Sequence, residues 1–148
     1  MTNSGAGAIT AAITGSGATL TKSGAGTLTL SGTNTYTGGT TINAGAVAVT
    51  STGNLGDVSG NLTMTGTSTL DLQGALSVGN LVMASGNSIT NTTGTSSLSV
   101  SGTSTLANSI TTSGTQTYTG AVTLLANTTL TTTDAVVTFA DAVTGSGK

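Results

Sequence analysis

The sequence predicts an all-β fold, a parallel β-helix of about seven rungs, from three observations. Thr accounts for 37 of the 148 residues, and its β-branched side chain favours strands. A series of glycines recurs at steps of five to eight residues from Gly24 to Gly102. Between these glycines lie short segments that alternate apolar and polar side chains. Such alternation is typical of strands with one buried face.

The glycine spacing separates this fold from other all-β folds. Strands of sandwiches and up-and-down barrels usually recur every 8–12 residues or so, which is longer than the steps seen here. In a parallel β-helix three strands and three corners make one coil, so three glycine steps give roughly 18–24 residues per rung. A chain of 148 residues then builds about seven rungs.

A nine-residue repeat also indicates a parallel β-helix. It begins with Leu or Ile, has a Gly at its fifth place and ends on Leu or Tyr after a Thr. Its start-to-start offsets of 34 and 36 are interpreted as two short rungs, which would put Leu28, Leu62 and Leu98 in one inward column. The copies lie at Leu20–Leu28, Leu28–Tyr36, Leu62–Leu70, Leu98–Leu106 and Ile110–Tyr118.

The composition fits a thin core and a neutral surface. Hydrophobic residues make up 35% of the chain, aromatic residues 2% and charged residues 4%. We expect a narrow column of stacked Leu, Val, Ile and Ala, covered by outward ladders of Thr and Ser. A net charge of −2 with two Lys gives no electrostatic footprint for nucleic acid. No apolar stretch is long enough to span a bilayer as a helix, so no membrane insertion is expected.

The composition of the chain changes in its last third, where glycines become rare and apolar runs lengthen. We predict a β-helix over residues 1–109. For residues 110–148 we predict a continuation of this β-helix with longer strands, or a small β subdomain. The first twenty residues carry no Lys or Arg, and Gly interrupts every apolar run there. They do not resemble a signal peptide, so an export signal is expected outside these residues.

The residue types present exclude several kinds of active site. The chain has no His and no Cys, which excludes a Ser-His-Asp triad, a Cys-His pair and a zinc site built from those ligands. The four carboxylate side chains belong to Asp57, Asp71, Asp134 and Asp141, and all are predicted to be solvated or at corners. We therefore predict no catalytic, cofactor-binding or metal-binding residue, no cofactor and no enzyme activity.

Two residue types are expected at the corners. Tyr36 and Tyr118 occupy equivalent places in the repeat, where we predict that they stack or cap over a corner. Exposed binding aromatics are the alternative. Asn34, Asn43 and Asn54 are also predicted to lie at corners, because Asn tolerates the left-handed backbone conformation.

Thr-x-Thr pairs raise a different functional hypothesis. On a flat solenoid face, ladders of such pairs order water and bind ice, provided that each rung offers one outward pair in register. The offsets here vary, so the pairs are only an alternative. They are Thr27/Thr29, Thr33/Thr35/Thr37, Thr63/Thr65, Thr67/Thr69, Thr103/Thr105 and Thr115/Thr117/Thr119.

One stretch, residues 20–49, joins two copies of the repeat to a Tyr-Thr-Gly-Gly turn and an alternating apolar strand. This stretch resembles the autotransporter-associated β-strand repeat, also called the passenger-associated transport repeat, of Gram-negative secreted proteins. Residues 110–145 resemble repeats of filamentous-haemagglutinin-type exoproteins. The residues that carry the first resemblance are Lys22, Gly24, Gly26, Thr27, Leu28, Leu30, Gly32, Asn34, Thr35, Tyr36, Thr37, Gly38, Gly39, Thr40, Thr41, Ile42 and Gly45.

The first resemblance implies a right-handed parallel β-helix in the passenger of a secreted or cell-surface, outer-membrane-associated protein. It also implies two partners, the neighbouring segments of a longer passenger and a β-barrel translocator, neither of which is in this chain. The function that follows is a structural stalk of a type V-secreted adhesin, with host or surface glycans and proteins as candidate ligands. The alternative is a Thr-rich binding module for an ice or glycan surface.

Overall fold

A computed structural model describes residues 2, 4–125 and 127–145, which form sixteen β-strands and no helix. This part of the chain accordingly offers no helical segment that could cross a bilayer. The strands are β1 (Gly7–Ile9), β2 (Leu20–Lys22), β3 (Thr27–Leu30), β4 (Thr40–Val49), β5 (Leu62–Leu72), β6 (Ala75–Val78), β7 (Leu81–Met83), β8 (Ser88–Thr90), β9 (Ser97–Val100), β10 (Ser104–Leu106), β11 (Ser109–Thr112), β12 (Gln116–Tyr118), β13 (Val122–Leu124), β14 (Thr129–Thr132), β15 (Val137–Phe139) and β16 (Val143–Gly145).

The strands stack in parallel on three faces of one coil. The first face contains β2, the first half of β4, the first half of β5, β7, β10, β13 and β16. The second face contains β1, β3, the second halves of β4 and β5, β8, β11 and β14. The third face contains β6, β9, β12 and β15. The predicted all-β parallel solenoid of about seven rungs is confirmed. Its right-handed sense stays a prediction, and it is the hand that parallel crossovers favour.

Each face contributes inward side chains that stack along the coil axis. On the second face, Leu28 pairs with Val47, and Val47 pairs in turn with Leu70. These columns form a single buried cluster, in which each side chain is covered by its equivalents one rung away. The second-face column is Leu28, Val47, Leu70, Ile89, Ile110 and Leu130.

The repeat maps onto corners of the coil and not onto whole rungs. Leu28 lies on the second face, Leu62 on the first and Leu98 on the third, so the expectation of one shared column is wrong. From Leu28 the chain completes one rung and returns to the second face at Val47. It then passes the third face and reaches the first face at Leu62. The nine-residue unit therefore describes one corner: its first and last apolar residues, such as Leu62 and Leu70, point inward on successive faces.

The parallel stacking continues to the end of the described chain. Strands β11 to β16 have three or four residues each and pair with the preceding rung. The predicted division between residues 109 and 110 stays a prediction, and residues 146–148 lie outside the described residues.

Candidate functional site

Two features of the coil are candidates for function: the corner built by the stretch at 20–49, and the outward Thr residues of the first face. At the corner, Tyr36 and Thr40 both point inward and are 1% and 2% exposed. The Tyr36 hydroxyl lies 2.6 Å from Oγ1 of Thr40, and the Thr40 hydroxyl donates to the Leu55 carbonyl at 3.4 Å. Burial raises the pKa of Tyr36, although the hydrogen bond to Thr40 opposes this shift.

A glycine on the next rung makes room for the Tyr36 ring. A Cβ atom on Gly56 would lie 2.8 Å from Cε2 of the ring and 2.5 Å from the Tyr36 carbonyl oxygen. The φ angle of Gly56 is +85°, a conformation that side chains disfavour. Two constraints therefore favour Gly at position 56: the positive φ angle of its backbone and the close approach of the Tyr36 ring.

The Gly-Gly pair after Tyr36 lets the neighbouring rungs approach on both sides. A Cβ on Gly38 would lie 2.5 Å from the carbonyl oxygen of Gly17, one rung before. A Cβ on Gly39 would lie 2.6 Å from the carbonyl oxygen of Asn61, one rung after. The turn is thus a point of close backbone contact between three rungs, not an open loop.

Lys22 also points into the coil. It aligns with Ile42 in the inward column of the first face and is fully buried. Its Nζ donates to the carbonyls of Gly24 at 2.7 Å, Ala44 at 3.1 Å and Ser23 at 3.3 Å. Burial lowers the pKa of Lys22. The buried ammonium group is therefore hydrogen-bonded to corner carbonyls of two adjacent rungs.

Asn34 forms an internal amide ladder. Its side-chain oxygen accepts from the Ile13 N–H at 2.8 Å, while its Nδ2 donates to the Asn54 carbonyl at 2.7 Å. The left-handed conformation predicted for Asn34, Asn43 and Asn54 is wrong, since other residues are the non-glycine residues with positive φ in the described part of the chain. These are Asn108, Asn127 and Asp134.

Tyr118 is buried as completely as Tyr36. Its hydroxyl donates to Oε1 of Gln116 at 3.1 Å, and its ring stacks on Phe139 of the next rung, with centroids 5.3 Å apart. Burial raises the pKa of Tyr118. Both tyrosines are therefore interior residues, and the alternative of exposed binding aromatics is wrong for them.

The carboxylates lie on the outside of the coil. Partial burial raises the pKa of Asp71, but hydrogen bonds from the side chain and N–H of Thr92 and from Gln73 outweigh this and hold the pKa below its usual value. Hydrogen bonds from Ser59 likewise lower the pKa of Asp57. Asp134 and Asp141 are exposed. Among the described residues, no three carboxylates come together as a metal site would require.

The first face carries a ladder of outward Thr side chains, which we name the threonine ladder. Strand pairing aligns its members at seven successive levels. Thr occupies every level except the fourth, where Val82 is 42% exposed. The members are Thr21, Thr41, Thr63, Val82, Thr105, Thr123 and Thr144.

The sequence did not predict the threonine ladder. The Thr-x-Thr pairs are spread over all three faces: Thr27/Thr29 lies on the second, Thr117 of its triplet on the third and Thr63 on the first. Successive ladder members lie one rung apart, and the interval from Thr105 to Thr123 is shorter than that from Val82 to Thr105. To find the ladder from the sequence, one would have to know the length of each rung, and this length varies from rung to rung.

Comparison with known proteins bears on the corner and not on the ladder. Residues 20–49 match the family described as passenger-associated-transport-repeat. No curated protein and no solved structure matches the chain. The resemblance of residues 110–145 to filamentous-haemagglutinin-type repeats stays a prediction. The chain therefore carries, at residues 20–49, a passenger-associated transport repeat, the repeat of autotransporter-associated proteins.

Proposed function

We propose that the chain is a structural stalk segment in the passenger of a type V-secreted, adhesin-like surface protein of a Gram-negative bacterium. In this role the coil spaces or presents binding regions that lie elsewhere in the passenger. One observation supports the proposal above others: the side chains of the repeat act inside the coil. Lys22, Asn34, Tyr36 and Thr40 are all buried and bonded to corner groups.

A solenoid of this kind suits a mechanical role. Neighbouring parallel strands are about 4.8 Å apart, so each rung adds about that length to the stalk. Contacts run only between adjacent rungs, so length changes by whole rungs without a new core. The chain has no Cys, and its rungs are connected by backbone ladders and by internal side-chain ladders such as that of Asn34.

The same stacking supports a role in secretion and folding. Each rung that folds can form backbone hydrogen bonds to the rung before it and can pack its apolar side chains on that rung. Folding outside the cell would then proceed by addition of rungs, which is the proposed contribution to export. The proposed partners are the neighbouring passenger segments and a β-barrel translocator, and the proposed location is the cell surface or the medium.

A non-catalytic role is part of this proposal. It is supported by the separate positions of the carboxylates: Asp71 lies on the second face, and Asp57 lies in the connection between the third and first faces. The hydrogen bonds that hold the pKa of each low come from Thr, Gln and Ser groups. Neither carboxylate is poised to take up a proton near neutral pH.

Surface display tests the proposal. The chain is inserted between a β-barrel translocator and a distal binding domain. The control carries a Gly/Ser linker of about ten residues, whose fully extended span equals the span of about 34 Å expected for seven rungs and whose average span as a flexible coil is shorter. The stalk role predicts that the distal domain is displayed and is held further from the cell, as measured by fluorescence energy transfer to a membrane dye. A distal domain that stays inside the cell, or lies no further out than with the flexible linker, would contradict it.

A Thr-rich binding module is the second candidate, and the threonine ladder is the observation that favours it. Of the two ligand surfaces expected for such a module, a glycan is disfavoured. Sugar rings are commonly bound on exposed aromatic side chains, whereas Tyr36 and Tyr118 are buried. Phe139 is 37% exposed but lies on the third face, away from the threonine ladder. An ice surface needs no aromatic platform.

A further inference from the structure

The threonine ladder is regular in a way that the other outward faces are not. On the second face, the equivalent outward column is interrupted by Ala48 and by the charged Asp71. On the third face, strand pairing extends over four strands only. The first face alone repeats one residue type over seven levels with a single exception. Its repeat distance is the strand spacing, about 4.8 Å.

The Thr residues at the centre of the ladder are half-buried or exposed. Within the described residues, the side chains of Thr41, Thr63, Thr105 and Thr123 make no hydrogen bond to the protein. Each such Thr offers both an unpaired hydroxyl and a methyl group. The ladder therefore presents donors, acceptors and apolar groups at one fixed interval.

Bonded side chains on both sides hold this surface rigid. On one side, Asn80 donates to Asn61 at 3.0 Å, and Thr103 donates to Asn80 at 3.1 Å. On the other side, Thr65 donates to Asn43 at 2.8 Å. These groups are neutral, and Lys22, the charged residue of the first-face strands, is buried inside the coil. The ladder is thus uncharged and is bordered on both sides by hydrogen-bonded side chains.

We propose that the threonine ladder binds ice through its single column of Thr residues, without the second outward Thr in each rung that a Thr-x-Thr surface has. A charged side chain orients water around itself and disrupts a lattice, whereas an uncharged row of hydroxyl and methyl groups at one interval holds water molecules in a repeating array. Because the array is already rigid in the protein, little conformational entropy is lost when it merges with the crystal. Bridging waters supply hydrogen bonds nearly as favourable as direct ones. The proposal does not depend on the stalk role.

Thermal hysteresis and inhibition of ice recrystallisation by the purified 148-residue chain test the proposal. The expected result is measurable activity in both assays. Loss of most of that activity is expected for T63K and T105K, which place a charge on the ladder. The matched control is S99K, an outward substitution on the third face, which should retain activity. Circular dichroism verifies the fold of each variant.

V82T keeps the proposal testable if the lysine variants unfold. It replaces the one interruption with Thr, so activity should rise above that of the wild-type chain. An inactive wild-type chain, equal loss in S99K and T63K, or no gain in V82T overturns the proposal. Glycan-array binding without ice activity overturns it as well and points to a carbohydrate face. None of these outcomes alters the surface-display result.

Discussion

The hydroxyl of Tyr36 lies 2.6 Å from Oγ1 of Thr40 inside the coil. This contact joins the last residue of one corner unit to the first residue of β4, so it fixes the turn that connects the third face to the first. Both groups are withdrawn from water, where an unsatisfied hydroxyl is costly. The pair explains why this stretch needs a Tyr and a Thr four residues apart.

We expect Tyr36→Phe and Thr40→Val each to lower the free energy of unfolding by about 1–3 kcal/mol, because each leaves a buried hydroxyl with a lost partner. The double variant should cost less than the sum of the two, since neither hydroxyl of the Tyr36–Thr40 pair then remains. Urea denaturation followed by circular dichroism measures this. Thr41→Val, on the adjacent outward position, is the control and should change stability by about 0.5 kcal/mol or less. Strict additivity would contradict the account.

Gly56→Ala separates backbone strain from lack of space. The substitution should destabilise by more than the cost of a left-handed conformation, about 1–2 kcal/mol, because its Cβ also meets the Tyr36 ring. Gly17→Ala is the matched control: its φ is +70°, but nothing lies within 4 Å of its Cβ position. Equal losses in the two variants, measured by thermal unfolding, would show that the ring plays no part.

Ser104 and Ser68 form a second matched pair. Both are 2% exposed, but the Ser104 hydroxyl has no hydrogen-bond partner among the described residues, whereas the Ser68 hydroxyl donates to Oδ1 of Asn87 at 2.6 Å. Ser104→Ala should leave stability unchanged or raise it, because it removes an unsatisfied group. Ser68→Ala should lower stability by about 1–2 kcal/mol. A larger loss at Ser104 than at Ser68 in denaturant titrations would reverse the assignment.

The pKa of Asp71 predicts the direction of an acid effect. A carboxyl whose pKa is lowered on folding adds stability that is present above its unfolded pKa of 3.8 and is lost as the pH falls below it. Asp71→Asn should therefore flatten the decline in stability below pH 3.8. Thr92→Val removes the side-chain donor at 2.6 Å, so it should raise the pKa of Asp71, as seen in a carboxyl NMR titration. An unchanged titration in Thr92→Val would refute this contribution.

The sequence predicted the coil because its two strongest signals are local. Alternation in segments such as Leu70-Asp71-Leu72 decides which side chains face inward, and glycines mark corners where rungs approach closely. Stacking is not local. Rung length is not constant, since the interval from Val47 to its partner Leu70 is longer than that from Leu70 to Ile89. Neither the columns nor the threonine ladder can therefore be read from fixed offsets.

The sequence also did not predict which polar residues lie in the interior of the coil. Alternation places Lys22 on the same side as Leu20, but a charged side chain is ordinarily assigned to solvent. Its burial depends on corner carbonyls contributed by two rungs, among them Ala44. The same holds for Asn34, whose partners lie one rung before and one rung after. Such residues are satisfied only in the stacked coil, and no short window of sequence contains their partners.

Removal of one whole rung tests the central claim, that the coil is built from stacked and exchangeable rungs. Leu62 and Leu81 are paired in register on adjacent rungs, so deletion of residues 62–80 joins Asn61 to Leu81. It brings Thr40 and Val47, the partners of Leu62 and Leu70, into register with Leu81 and Ile89 on the first and second faces. The account predicts cooperative thermal unfolding with β-rich circular dichroism. The control, deletion of residues 62–70, joins Asn61 to Asp71 and should abolish cooperative unfolding. Loss of the fold in both variants, or its retention in both, would contradict the account.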